Sequence, residues 1–240
     1  MNIDKNKHKK VMLNILSDIS RNRELAVNLG FKGGTCCYFV YSLDRFSVDL
    51  DFDILDYENE KKEQIIKQVD EICAKYGEVK QITKSARKIK YSDEESGLKI
   101  DISDRTDLNK LNTYEVLDIV SGVPLHVLVK EDIFAHKLVA LKDRFDNKKV
   151  NKVVANRDIY DINFFFLQDW DFNHEIIEMR QKMPAKKYLI KLIDFIEKQV
   201  DNKTILEGLG TLIDDGKREL IRQNLKEDVI RQLAIQVKLM

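Results

Sequence analysis

The sequence predicts an α/β protein. Residues 1–129 form a core with a short mixed sheet and flanking helices, and residues 130–240 form an α-helical region. Three observations predict this. A strand-like alternation, Ser47 to Ile54, follows a glycine turn at Gly33-Gly34. Helical and strand patterns then interleave as far as Val129. From Glu131 onward only helical patterns remain, so the composition shift near residue 130 marks the boundary.

Residues 9–29 have helical periodicity. Met12, Ile15, Leu16 and Ile19 fall at i, i+3, i+4 and i+7, and Leu25 and Leu29 repeat a four-residue step. A break is expected near Ser20–Asn22, and Gly30 is expected to end the helix. Residues 36–43 (CCYFVYSL) are an apolar run that fits a buried helix after Gly-Gly-Thr. Residues 59–76 read as an amphipathic helix with Ile65, Ile66, Val69, Ile72 and Cys73 inward, stopped by Gly77. Strand patterns follow near 78–91, at Leu98–Ile102 and at Val123–Val129, with SDEESG as a turn between the first two. Helices are predicted over 130–145, 157–168, 173–182, 185–200, 203–213 and 216–237. A polar, lysine-rich connector joins the first two, and Pro184, Asp201-Asn202 and Asp214-Asp215-Gly216 supply later breaks.

The composition excludes some function classes. The 41 basic and 41 acidic residues cancel, which argues against a protein that coats nucleic acid through a basic excess but leaves room for a local basic patch. No apolar run approaches the ~20 residues of a membrane span. The charged N-terminus, MNIDKNKHKK, lacks the apolar stretch of a signal peptide. Cys36, Cys37 and Cys73 are odd in number and lack CxxC spacing, so they read as buried free thiols in a reducing, cytoplasmic setting.

The residues with chemistry to offer begin at the alternating strand. A strand sends alternate side chains to opposite faces, so Asp49 and Asp51 point one way and Val48, Leu50 and Phe52 the other. Arg45, Ser47 and Asp53 share the acidic parity, which leaves Asp49/Asp51 or Asp51/Asp53 as the pair. Convergent carboxylates are either a solvated strand face or ligands for a divalent cation. Mg²⁺ takes one or two carboxylates plus substrate phosphates. A glycine turn upstream can bring backbone N–H groups to those phosphates. The combination points to metal-assisted transfer of a nucleotide.

Other residues have two readings each. Asp101 is either solvent-facing or a third carboxylate of the kind two-metal phosphoryl chemistry uses. Lys137 lies at the edge of the stripe Ile133, Phe134, Leu138 and Leu141, either snorkelling or reaching a phosphate. Arg144 lies two turns on, with the same choice, and His136 reads as structural. Asp158 and Asp161 are helical neighbours. Asp158 fits a helix N-terminal residue, an intrahelical partner or an acceptor of a substrate hydrogen bond.

The run FKGGTCCYFVYSLDRFSVDLDF strongly resembles the AbiEii-like nucleotidyltransferases, the toxin-type enzymes of AbiE and MenT toxin–antitoxin systems, within the DNA polymerase beta-like superfamily. Their pattern is Gly-Gly-Thr/Ser, a spacer, then Arg-x-Ser-x-Asp-x-Asp-Phe. The downstream KLVAL…R…RDIYDI looks like the family's second block, and the resemblance spans roughly residues 10–168. It implies a nucleotidyltransferase core in which Asp49, Asp51 and Asp101 hold Mg²⁺, or Mn²⁺, and Gly33, Gly34 and Thr35 hold the triphosphate. Arg45 and Ser47 would organise the turn or touch phosphate, and Lys137 and Asp158 would join the active site, the helical region completing the cleft. The implied function is transfer of an NMP from an NTP to an acceptor hydroxyl, a tRNA 3′ end, in a toxin–antitoxin or phage-defence pair with a cognate antitoxin. Transfer to a protein hydroxyl and a catalytically silent binding module are the alternatives. Two basic segments, Val79–Ser92 and Lys142–Arg157, flank the proposed site residues in sequence and are candidates to receive an RNA backbone.

Overall fold

The computed structural model describes residues 4–55, 59–92, 97–103, 110–120, 122–146 and 155–240. Residues 93–96 of the expected SDEESG turn and most of the lysine-rich connector, with Lys148 and Lys149, lie outside the described residues. The chain divides into two compact units, residues 1–129 and 130–240.

The first unit opens with α1 (Lys5–Arg21). Its start is set by Asp4, whose carboxylate accepts hydrogen bonds from the backbone N–H groups of Asn6 and Lys7. Met12, Ile15, Leu16 and Ile19 are buried, as their spacing predicts. The break falls at Asn22, which ends α1 and caps α2 (Arg23–Asn28) by accepting from Glu24 and Leu25 N–H. Gly30 does not end a helix. It lies inside a short central strand, β1 (Leu29–Lys32), where a β-carbon would meet the Tyr114 ring at 2.2 Å. The glycine is there for ring clearance.

After β1 come α3 (Gly33–Val40), β2 (Asp49–Ile54) and α4 (Asn59–Ala74). The pattern near 78–91 resolves into two strands, β3 (Glu78–Gln81) and β4 (Ala86–Lys90), followed by β5 (Leu98–Ser103). The unit closes with β6 (Tyr114–Asp118) and β7 (Pro124–Leu128). No strand was expected at β6. It is an edge strand with Val116 61% exposed, so it carries no apolar alternation to read. Among the described residues the sheet has seven strands in the order β3-β4-β5-β2-β1-β7-β6. It is mixed: β1 pairs antiparallel with β2 and parallel with β7, and β2 pairs parallel with β5. One face is apolar, with Phe31, Leu50, Phe52, Ile89, Leu98 and Ile100 fully buried.

The second unit contains α5 (Lys130–Asp146), α6 (Asn156–Leu167), α7 (His174–Gln181), α8 (Ala185–Gln199) and α9 (Arg218–Leu239). Phe134 anchors its core, with ring centroids of Phe165, Phe166 and Phe172 at 5.2, 4.8 and 5.5 Å. α9 buries Ile221, Leu225, Val229 and Leu233, one residue per turn. The helix expected over 203–213 is instead a series of turns, held by bonds such as Glu207 N–H to Thr204 carbonyl and Leu212 N–H to Leu209 carbonyl. Gly208, at φ +70°, interrupts any helical run there.

Candidate active site

β2 lies mid-sheet between β1 and β5. Its apolar face is spent on the core, so its acidic face is turned away from it. β5 runs parallel in a register that sets Asp101 opposite Asp51 and Lys99 opposite Asp49. On the other side β1 sets Lys32 opposite Asp51. Because cross-strand partners share a face, Asp49, Asp51, Asp101, Lys32 and Lys99 gather on one surface. Lys32 was not anticipated from the sequence.

Asp53 shares the parity but not the environment. It is fully buried and takes an ion pair from Lys32, a 2.5 Å hydrogen bond from the Tyr114 hydroxyl and a 3.4 Å contact from Asn112 Nδ2. Protein donors therefore satisfy it. Asp49 and Asp51 are half-buried. Of the two pairs open on sequence parity, Asp49/Asp51 is the one in which neither residue is fully buried.

Burial pushes the Asp51 carboxyl above its ordinary value, and the Asp49 charge pushes it further. Lys32 and Lys99 oppose the rise, and Asp101 adds to it. Such a pair of repelling carboxylates suits a divalent cation, and hard carboxylate oxygens fit Mg²⁺ or Mn²⁺. Among the described residues, no group of three or more His, Cys, Asp or Glu side chains is arranged as a finished metal site. Asp101 accepts from Lys99 Nζ at 3.0 Å.

The glycine turn sits directly against this pair. Gly33, at φ +79°, opens α3, and a β-carbon there would lie 2.3 Å from Asp51 Oδ2. Only glycine permits both the backbone conformation and the approach. Gly34 backs onto Arg45 and Ser47, whose Nη2 and Oγ would each be 3.0 Å from a β-carbon. Thr35 is fully buried. Its hydroxyl hydrogen-bonds the Asp49 carbonyl and lies 2.9 Å from the Ser47 hydroxyl. Arg45, also buried, donates to the Phe46 carbonyl at 3.1 Å. Thr35, Arg45 and Ser47 thus brace the turn against the start of β2, and the Thr35 hydroxyl is directed at backbone.

A further brace was missed in the sequence. His8 is fully buried on α1; its Nε2 donates to the Val48 carbonyl at 2.9 Å and its Nδ1 meets the Tyr91 hydroxyl. It ties α1 to the residue before Asp49. The signal was its place one turn ahead of Met12 on the apolar face. Two of the three buried cysteines, Cys36 and Cys73, are inert by contrast. Burial pushes the Cys36 thiol well above its usual value and Cys73 up to about 12, so neither offers a thiolate.

The helical unit brings Lys137 and Asp158 together. Lys137 Nζ lies 2.9 Å from Asp158 Oδ1 and 2.9 Å from Asp161 Oδ2, both aspartates being fully buried. Arg144 donates to the second Asp158 oxygen at 2.7 Å. Lys137 therefore bridges two buried carboxylates, and Arg144 closes the set from a half-exposed position. His136 Nδ1 faces Arg180 Nη1 at 3.0 Å, a packing role.

JHP933 from Helicobacter pylori is similar in structure at 22% identity and a TM-score of 0.51, with 98% of this chain and 96% of that chain covered. A second H. pylori chain, described as a candidate nucleotidyltransferase, is similar at 21% identity and a TM-score of 0.52, covering 98% and 99%. MenT4, a nucleotidyltransferase toxin from Mycobacterium tuberculosis H37Rv, aligns at 14% identity and a TM-score of 0.46, over 97% and 94%. The two H. pylori structures establish a shared fold. No curated protein matches the chain. The family model described as the nucleotidyl transferase AbiEii toxin of type IV toxin–antitoxin systems matches residues 14–231, which include Gly33, Gly34, Thr35, Arg45, Ser47, Asp49, Asp51, Asp101, Lys137 and Asp158. The chain belongs to the AbiEii family of nucleotidyl transferase toxins and is a nucleotidyltransferase.

Proposed function

We propose that this nucleotidyltransferase moves an NMP from an NTP to a hydroxyl of RNA, at a tRNA 3′ end, as the toxin of a pair held in check by a cognate antitoxin. The observation that carries the reading is the contact of Asp51 with the bare Gly33 backbone, on the strand face it shares with Asp49. The glycine turn offers N–H groups to a triphosphate where the carboxylates can hold a divalent cation. Bound there, Mg²⁺ or Mn²⁺ would screen phosphate charge and acidify an attacking hydroxyl.

The chain's own residues supply position and charge. The acceptor oxygen attacks the α-phosphorus, a P–O bond forms, and the bond to the β-phosphate oxygen breaks, pyrophosphate leaving with the electron pair. The reading gives the hydroxyl proton to Asp101, which stands opposite Asp51 in the sheet. Thr35, Arg45 and Ser47 fix the turn. The reading also assigns Lys137 and Asp158 to this chemistry; its support is the family match, which runs through both residues.

The test is incorporation. The purified protein is incubated with each α-labelled NTP, Mg²⁺ and total RNA or total protein. Label in RNA that Asp49→Asn abolishes supports the reading. Label in protein alone, or none in either, overturns it. No helix of the described residues is long and apolar enough to cross a membrane.

A further inference from the structure

The sheet register produces a charge arrangement that the sequence hides. Lys80 of β3 lies opposite Lys88 of β4, Lys88 lies opposite Lys99 of β5, and Lys99 lies opposite Asp49 of β2. Three lysines therefore stand in one row across three adjoining strands, on the face that carries Asp49 and Asp51. Like charges directly opposite each other destabilise a sheet. One pleat along, Glu78 faces Lys90, the compensated arrangement a sheet ordinarily adopts. The lysine row has no such compensation at its outer end. Lys80 and Lys88 are both exposed, and among the described residues neither has a carboxylate partner. Lys99 is half-exposed and bonded to Asp101. The opposite parity of β4 is occupied differently: Arg87 is buried and donates to Asp70 at 2.7 Å.

We infer that the Lys80–Lys88–Lys99 row is a phosphate track that lays the backbone of a single-stranded RNA across the sheet and delivers its terminal hydroxyl to Asp49 and Asp51. The inference rests on the proposed transfer to RNA and specifies how that acceptor is held. Neighbouring strands lie about 4.8 Å apart, so the row is roughly 10 Å long and reaches successive phosphates rather than one. An RNA phosphate chain supplies the negative charge the row lacks. The row also ends at the carboxylate pair, where the acceptor must arrive.

The experiment uses the full chain with the double variant K80E/K88E. Lys99 is left alone because it touches Asp101. The probe is a fluorescent single-stranded oligoribonucleotide, with binding read by anisotropy over a series of salt concentrations. The expected result is at least a tenfold loss of affinity. The slope of log K against log salt should fall by about 1.4, two contacts at ~0.7 each for single strands. Binding of a non-hydrolysable NTP with Mg²⁺ should be unchanged. K186E/K187E, an equal charge change at exposed positions of α8, should leave RNA binding intact. K80Q/K88Q, which removes charge without reversing it, should fall between wild type and K80E/K88E. RNA binding by K80E/K88E with wild-type affinity and salt slope overturns the track. Failure of the wild-type protein to label RNA, with binding still lost in K80E/K88E, overturns the transfer reading and leaves the track standing as an RNA-binding surface.

Discussion

Asp51 lies against Gly33 so closely that no other residue could replace the glycine without moving the carboxylate: the added β-carbon would come within 2.3 Å of Oδ2. The turn and the acid are one structural unit. Gly33→Ala meets two penalties, the φ of +79° and the collision. We expect it to cost about 1–3 kcal/mol of stability in denaturant titration and to lower nucleotide transfer by more than tenfold. A variant with unchanged stability and activity would show that the contact is incidental.

Asp51→Asn should separate function from stability. The Asp51 carboxyl is raised above its ordinary value of 3.8 by burial and by Asp49. A raised acid binds its proton more tightly in the folded chain, so wild-type stability declines as pH climbs from 3.8 through the folded value, then levels. With a chelator present, Asp51→Asn should be more stable than wild type at pH 7, and the advantage should vanish as pH falls below 3.8. Transfer should be abolished. An Asn variant less stable at pH 7 than at pH 3.5, relative to wild type, would contradict the sign.

Asp53→Ala should show the opposite profile. It removes the acceptor for Lys32 and Tyr114 from a fully buried site. The expected loss is about 1–3 kcal/mol, read as a lower melting temperature. Enzyme that remains folded should bind NTP much as wild type does. Loss of NTP binding at full stability would place Asp53 among the working acids.

Lys137→Ala leaves Asp158 and Asp161 buried without their shared cation. Removing one partner of a buried ion pair typically costs about 3–5 kcal/mol. Lys137→Arg should recover much of that stability. If the role of Lys137 is the phosphate contact that the family resemblance implies, Lys137→Arg will still lose catalytic efficiency. Recovery of both stability and efficiency would confine the residue to the buried cluster.

The sequence disclosed most of what depends on local pattern. Met12, Ile15, Leu16 and Ile19 are buried as their spacing required, and the Asp49/Asp51 face follows from period two alone. What pairing decides was not legible. Asp53 has the same parity as Asp51, and the partners that satisfy it among the described residues, Tyr114, Asn112 and Lys32, are each distant in sequence. β6 was invisible because an edge strand buries too little to need an apolar rhythm. Gly30 looked like a helix stop because its actual neighbour, the Tyr114 ring, lies far along the chain. Lys80 and Lys88 belonged to a basic segment legible in the sequence, but their alignment with Lys99 became visible only when the strands were set side by side.

The strand order also dictates a timetable for synthesis. β1, the glycine turn and β2 are contiguous in sequence, so their antiparallel pairing closes a short loop and carries little entropic cost. β1's other neighbour, β7, emerges much later, and that parallel pairing must wait for nearly all of the first unit. In a pulse-labelled refolding experiment, amides of Leu29–Lys32 and Asp49–Ile54 should gain protection no later than those of Pro124–Leu128. Asp101 joins Asp51 only when β5 docks, so a nascent chain presents the two strand-mate aspartates well before the complete acidic face. The acidic face is therefore completed by a strand that emerges about fifty residues after the aspartate pair it joins.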